Sequence, residues 1–169
     1  RPFKLAVENG IDALMTAHIV LPKVAESPEL PATISKNLLT GLLRNEWKYE
    51  GLVLTDGLEM HGIVSRYGSG EAAVRAVVAG ADMVLILWTI QKKNEVHQAL
   101  LRAVRKGRIS QERLHQSLRR ILRVKHRRGI LKQKLDSVSK ALASLKDGAH
   151  RKVVQEISEK AITVVQDPQ

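Results

Sequence analysis

The sequence predicts an α/β chain built on a parallel sheet. Three apolar runs, at residues 13–20, 51–56 and 82–88, are separated by stretches with helical spacing. Within each run hydrophobicity is nearly continuous instead of alternating, as in strands covered on both faces. Their order, strand then helix then strand, is that of βα units.

Each element follows from local chemistry. Ala13-Leu14-Met15-Thr16-Ala17-His18-Ile19-Val20 reads as the first strand, and Pro22, Pro28 and Pro31 mark a loop behind it. Ser35 stands where an N-cap belongs, its hydroxyl able to accept from the free N–H groups of a first turn. Leu38, Leu39, Leu42, Leu43 and Trp47 then recur at helical spacing. Gly51-Leu52-Val53-Leu54-Thr55-Asp56 is a second buried strand that ends in a carboxylate. Residues 57–70 read as a polar, glycine-bearing loop, and residues 71–79 as a helix closed by Gly80. After the third strand the chain is helical. Val96, Ala99, Leu100, Ala103 and Val104 form a stripe ended by Gly107. Ser110 caps a further helix with Leu114, Leu118, Ile121 and Leu122 as its apolar face and Gly129 at its end. Residues 136–145 and 149–160 read as linker helices, and residues 161–165 as the onset of another strand.

Composition narrows the class further. The chain has 169 residues, enough for one domain or part of a larger one, and 44% are hydrophobic, which excludes wholesale disorder. There is no cysteine, so disulfides, thiolate metal sites and thiol nucleophiles are excluded. No apolar run approaches the roughly 18 residues of a membrane helix. Arg1-Pro2-Phe3 is neither a starting methionine nor a signal peptide, so the sequence is expected to be a piece of something longer.

The net charge of +11 is unevenly placed. Residues 1–90 hold 8 Lys+Arg against 10 Asp+Glu, and residues 91–169 hold 20 against 7. The run Arg119-Arg120-Ile121-Leu122-Arg123-Val124-Lys125-His126-Arg127-Arg128 raises the alternative of a non-catalytic basic module that binds nucleic acid or an anionic cell-wall polymer. Residues 89–169 contain no aromatic side chain on which a base can stack, so no nucleic acid is expected. The favoured reading is an amphipathic helix that buries its leucines and leaves its guanidinium groups solvated.

Asp56 is the most informative residue, the plain alternative being a loop aspartate that bonds its own turn backbone. A carboxylate directly after an apolar strand and before Gly57 lies where a parallel sheet or barrel presents side chains to an active-site rim. There it can serve as nucleophile, general base or metal ligand. His18, at the end of the first strand, faces the same rim. Met15 and Met60 read as core or pocket wall, and Glu59 and His61 follow Asp56 at spacings that fix no geometry in a loop. Asp56, His18 and His61 show no recognisable ligand spacing, so neither metal nor cofactor is expected.

Several motifs in one order resemble a known family. These are Pro2-Phe3 with Ala6 and Gly10, Met15-Thr16-Ala17-His18, Pro31-Ala32-Thr33 with Ser35, and Leu42-Leu43-Arg44. Tyr49-Glu50-Gly51-Leu52-Val53-Leu54-Thr55-Asp56 comes next, with Leu58 and Met60, then Glu71-Ala72-Ala73, Ala79-Gly80-Ala81-Asp82-Met83-Val84-Leu85 and the helix of residues 113–129. Together they resemble the second half of the catalytic domain of glycoside hydrolase family 3, in its β-N-acetylhexosaminidase branch.

The resemblance implies a (β/α)8 TIM-type barrel, of which residues 1–132 supply the last three βα units, then linker helices at 133–160 and the onset of a further domain at 161–169. It implies that Asp56 is the nucleophile of a retaining glycosidase, with Thr55 and nearby N–H groups as hydrogen-bond partners, and that His18 lies at the substrate. The implied substrate is a terminal β-linked N-acetylhexosamine, with peptidoglycan fragments the leading source, since the branch occurs in bacterial cell-wall turnover. The family's general acid/base sits on a His- and Asp-bearing loop upstream of these residues. The chain alone is therefore expected to be inactive, with the missing barrel half supplied by its parent or by another chain. The branch often has a second acidic residue after the nucleophile, and β-glucosidases of the family usually have tryptophan there; this chain has Gly57.

Overall fold

The computed structural model describes residues 1–132, 137–145 and 148–163. It divides into two units, Arg1–Leu131 and Lys132–Gln169. The first unit runs α1 (Pro2–Glu8), β1 (Ala13–Met15), a 3-10 turn (Ala32–Ile34), a π-type helix (Asn37–Glu46), β2 (Leu52–Gly57), α2 (His61–Ala79), β3 (Met83–Leu85), α3 (Ile90–Arg105) and α4 (Gln111–Arg127).

All three strands are parallel, in the order β1-β2-β3, so β2 is central. Leu54 pairs with Met15 on one side and Met83 on the other. Burial alternates along β2. Val53 and Thr55 are fully buried against the helical layer, while Leu54 and Asp56 are only half-buried. Met15 and Met83 flank Leu54 and are 55% and 37% exposed, so one sheet face is packed and the other is uncovered.

The packed face is closed chiefly by α2, whose Ala72, Ala73, Ala76 and Ala79 share a core with Leu39, Val53, Leu58 and Ile63. Alanines there let the helix approach the sheet closely, and full burial of a side chain such as Val53 contributes about 1.5–3 kcal/mol. A second cluster, Val74, Val77, Ala103 and Ile109, joins α2 to α3 and the turn after it. Gly80 ends α2 at φ 131, where a Cβ would lie 3.0 Å from Thr40 Oγ1, so conformation and space both require glycine.

Several expectations are corrected. The first strand ends at Met15 instead of Val20; Ile19 and Val20 are exposed, and Val20 makes only an isolated antiparallel bridge to Pro31. The third strand spans Met83–Leu85 instead of residues 82–88. The segment 57–70 is largely helical, because α2 starts at His61 and passes through a kink where Gly68 takes φ 66. The helix expected after Ser35 forms, but with wide turns: Trp47 N–H bonds to Leu42 O. Ser35 does cap it, accepting from Leu38 N–H while donating to Glu26.

The largest correction concerns α4. Leu114, Leu118 and Leu122 are 39%, 52% and 45% exposed. The face turned toward the sheet carries Arg113, Ser117 and Arg120 instead. All three converge on Asp82, whose side chain is fully buried and which also takes Arg44 Nη2 at 2.6 Å. The other arginines are not simply solvated either. Arg119 pairs with Glu112, Arg123 with Glu50, and Arg127 and Arg128 with Asp12.

The second unit contains α5 (Val138–Leu145) and α6 (Gly148–Ala161), with no buried residue in either. Of the expected strand at 161–165, Ala161 closes α6, Ile162 and Thr163 have no regular structure, and the remainder lies outside the described residues, as does Asp136. No helix among the described residues is long and apolar enough to cross a membrane.

Candidate active site

The C-terminal end of β2 is where the sheet is irregular. Pairing with β3 shifts between Leu54 and Gly57, and Leu85 N–H donates to Thr55 Oγ1 at 3.0 Å. An irregularity of this kind at a strand end re-aims the next side chain. That side chain is Asp56. It stays on the uncovered face with Leu54, and its Oδ1 accepts from Gly57 N–H at 2.7 Å. Oδ2 has no protein partner among the described residues, which leaves one carboxylate oxygen available to a reacting atom. Thr55, expected beside the carboxylate, gives its hydroxyl to the strand pairing instead.

His18 reaches the same strand end from the loop after β1. Its Nε2 lies 2.9 Å from Gly57 O and its Nδ1 lies 2.8 Å from Thr33 Oγ1, which is 2.9 Å from Thr16 Oγ1. A carbonyl only accepts, so Nε2 carries the proton it donates to Gly57. In the neutral ring Nδ1 then accepts from Thr33, and the Thr33 oxygen accepts from Thr16. Both ring nitrogens are thereby occupied, and the imidazole braces the residue immediately after Asp56.

Glu59 was missed by sequence reasoning. Its side chain is buried, and Oε2 accepts from Leu87 N–H at 2.7 Å and Trp88 N–H at 3.1 Å. Burial pushes its carboxyl up, but the N–H groups of Leu87, Trp88 and Thr89, with Lys93 nearby, outweigh that and hold it below the usual carboxylate range. The one signal was an acid set between Leu58 and Met60, apolar neighbours that leave a carboxylate little reason to be there unless it bonds to backbone. His61 opens α2 and is exposed, and among the described residues no group of three His, Cys, Asp or Glu gathers as a metal site would.

Parallel βα units with a carboxylate at the carboxyl end of the central strand have the arrangement in which α/β proteins bind ligands. Residues 1–124 match the N-terminal domain of glycosyl hydrolase family 3, and the chain belongs to that family. It is 31% identical over 169 residues to β-hexosaminidase A of Pseudoalteromonas piscicida, covering 91% of this chain and 28% of that one. It is 29% identical over 173 residues to a β-N-acetylglucosaminidase/β-glucosidase of Cellulomonas fimi, covering 98% and 30%. Among solved structures, a family 3 β-N-acetylglucosaminidase from Paenibacillus sp. str. FPU-7 superposes with a TM-score of 0.85 at 42% identity, over 99% of this chain and 32% of that one. The chain thus spans about 30% of the length of these relatives.

Proposed function

We propose that this chain is the nucleophile-bearing part of a retaining glycoside hydrolase that removes terminal β-linked N-acetylhexosamine, with peptidoglycan fragments as the source. The observation that carries the reading is Asp56, held through one oxygen by Gly57 N–H and free at the other. A retaining glycosidase needs an ionised carboxylate beneath the anomeric carbon, where it forms a covalent glycosyl-enzyme that water then opens. The names of the relatives supply the sugar. His18 acts at the substrate end of the site by fixing Gly57 and so the direction of Asp56.

The uncovered sheet face supports a barrel. Met15, Leu54 and Met83 are register partners on three adjacent strands and share the uncovered face, as inward-pointing side chains of a (β/α)8 barrel share its interior, and residues 1–132 are then its last three βα units. α5 and α6 are then the linker helices that follow the barrel. Glu59, the acid next in sequence, is ill suited to protonate the leaving group: Oε2 is taken by backbone N–H groups, Oε1 is buried, and the carboxyl is held below the usual carboxylate range. The general acid/base comes from the rest of the barrel, and the chain alone is inactive. The alternative of a basic polyanion-binding module is disfavoured by the acidic partners that α4 gives its arginines.

The test is turnover of an aryl β-N-acetylglucosaminide by the full-length enzyme. Asp56→Ala is expected to abolish it, with azide restoring turnover as the α-glycosyl azide. Turnover like that of the wild type by Asp56→Ala would sink the assignment.

A further inference from the structure

The segment between β3 and α3 is built in a way that the role of Asp56 does not require. Three consecutive residues there are fixed by hydrogen bonds. Leu87 N–H and Trp88 N–H donate to Glu59 Oε2, and Thr89 Oγ1 caps α3 by accepting from Lys92 N–H at 3.2 Å. Leu87 folds back onto the strand end that bears Asp56: a Cβ on Gly57 would lie 3.0 Å from Leu87 Cδ1. Trp88, next in the chain, is left 69% exposed. An exposed indole on a backbone held by hydrogen bonds, three residues past the Leu85 that pairs with Gly57, offers a large apolar face at low entropic cost.

We propose that Trp88 is a specificity-determining residue that stacks on the apolar face of the sugar in the leaving group, and that Glu59 is its positioning residue. This rests on the glycosidase reading. If the terminal sugar lies over Asp56, the only other ring an enzyme acting on chain ends holds is the one about to leave. Beyond the Gly57–Leu87 contact, the next side chain is Trp88. Gly57 leaves room for the Leu87 side chain at the strand end.

Two substrates separate this role from general support of the site. N,N′-diacetylchitobiose has a sugar leaving group, and N-acetyl-β-glucosaminyl fluoride has none. In the full-length enzyme, Trp88→Ala is expected to lower kcat/KM on the disaccharide about tenfold while the fluoride stays within about twofold, and Trp88→Phe to recover most of the loss. Glu59→Gln, which keeps an acceptor but loses its charge, should show the same substrate dependence at a smaller size. Equal losses on both substrates, or none on either, would overturn the assignment of Trp88. Absence of turnover on both by the wild type, or full turnover by Asp56→Ala, would instead remove the glycosidase reading itself and the leaving-group role with it.

Discussion

Gly57 shows how one residue can be read only with its neighbours in place. In sequence it is a departure, since the related branch often has an acid there. In the structure its missing side chain is the space that Leu87 fills, and its carbonyl receives His18 Nε2. Gly57→Asp should therefore push the exposed Leu87 side chain aside and lower stability by about 1 kcal/mol or less, measurable as a shift of the urea midpoint with an unchanged m-value. His18 acts on the same atoms by a different route. His18→Phe keeps a planar aromatic ring, somewhat larger than the imidazole, but removes the donor to Gly57 O, so the strand end that aims Asp56 relaxes. Misplacement of a reacting group by about 1 Å costs on the order of 10²-fold, and that loss is expected in kcat of the full-length enzyme with KM little changed. An equal fall in stability and none in kcat would show that the ring only supports the fold. The place of Asp56 at the end of the central strand was legible, because its apolar run nearly coincides with β2; that of His18 was not fixed by its run, since β1 stops at Met15 and a loop carries the ring to Gly57. The engagement of both His18 nitrogens was not legible either, because Thr33 and Gly57 are brought to the ring by folding.

Elements were legible where burial and period agree, and misread where a distant partner decides. β2 appears almost at its expected bounds, because it is the central strand and its apolar run coincides with its pairing. Residues 16–20 are as apolar as a strand but lie past the end of the pairing, and composition alone does not distinguish the two. Gly68 reads as loop chemistry, yet its left-handed conformation only kinks a helix that begins at His61. On α4 the leucine stripe outweighs everything local, while the decisive group is Asp82, the buried acid that draws Arg44, Arg113 and Arg120 inward. Asp82→Ala leaves those cations without their carboxylate in a half-buried setting and should cost about 3–5 kcal/mol, read by chemical denaturation. α2 offers a milder test. Glu71 is held to about 2 from 4.5, first by its hydrogen bonds from Arg108 and then by Arg75, against an opposing effect of burial. Because the folded value is the lower one, this stabilisation is complete above about pH 4.5 and is lost as pH falls toward 2. Glu71 is about one-third exposed, so solvent screening limits the effect to about 1 kcal/mol or less. The stability gap between the wild type and Glu71→Gln should shrink over that interval.

At the scale of the whole molecule, the unequal faces of the sheet are the feature with the widest consequence. One face is sealed by α2 and the helices around it; the other carries Met15, Leu54 and Met83 in a row across three strands, the methionines exposed and Leu54 half-buried between them. A parallel sheet left open on one side is rare, because βα connections normally cover both faces or close into a barrel. If these strands are a barrel wall, Leu54 is an interior residue in the complete protein and a surface residue in this chain alone. The same substitution should then behave oppositely in the two settings. Leu54→Lys in the 169-residue chain can lay its stem along the flanking methionines and bring its ammonium group to water, so its cost in unfolding free energy should stay at about 1 kcal/mol and its effect on solubility should be favourable. In the full-length enzyme it would put an unpaired charge inside the barrel, at a cost of several kcal/mol, and soluble folded protein should be lost. Measuring both proteins by urea denaturation and by the soluble fraction after expression separates the possibilities: equal tolerance in the two would mean that this sheet face stays open to water in the complete molecule and that the three strands are not part of a closed barrel.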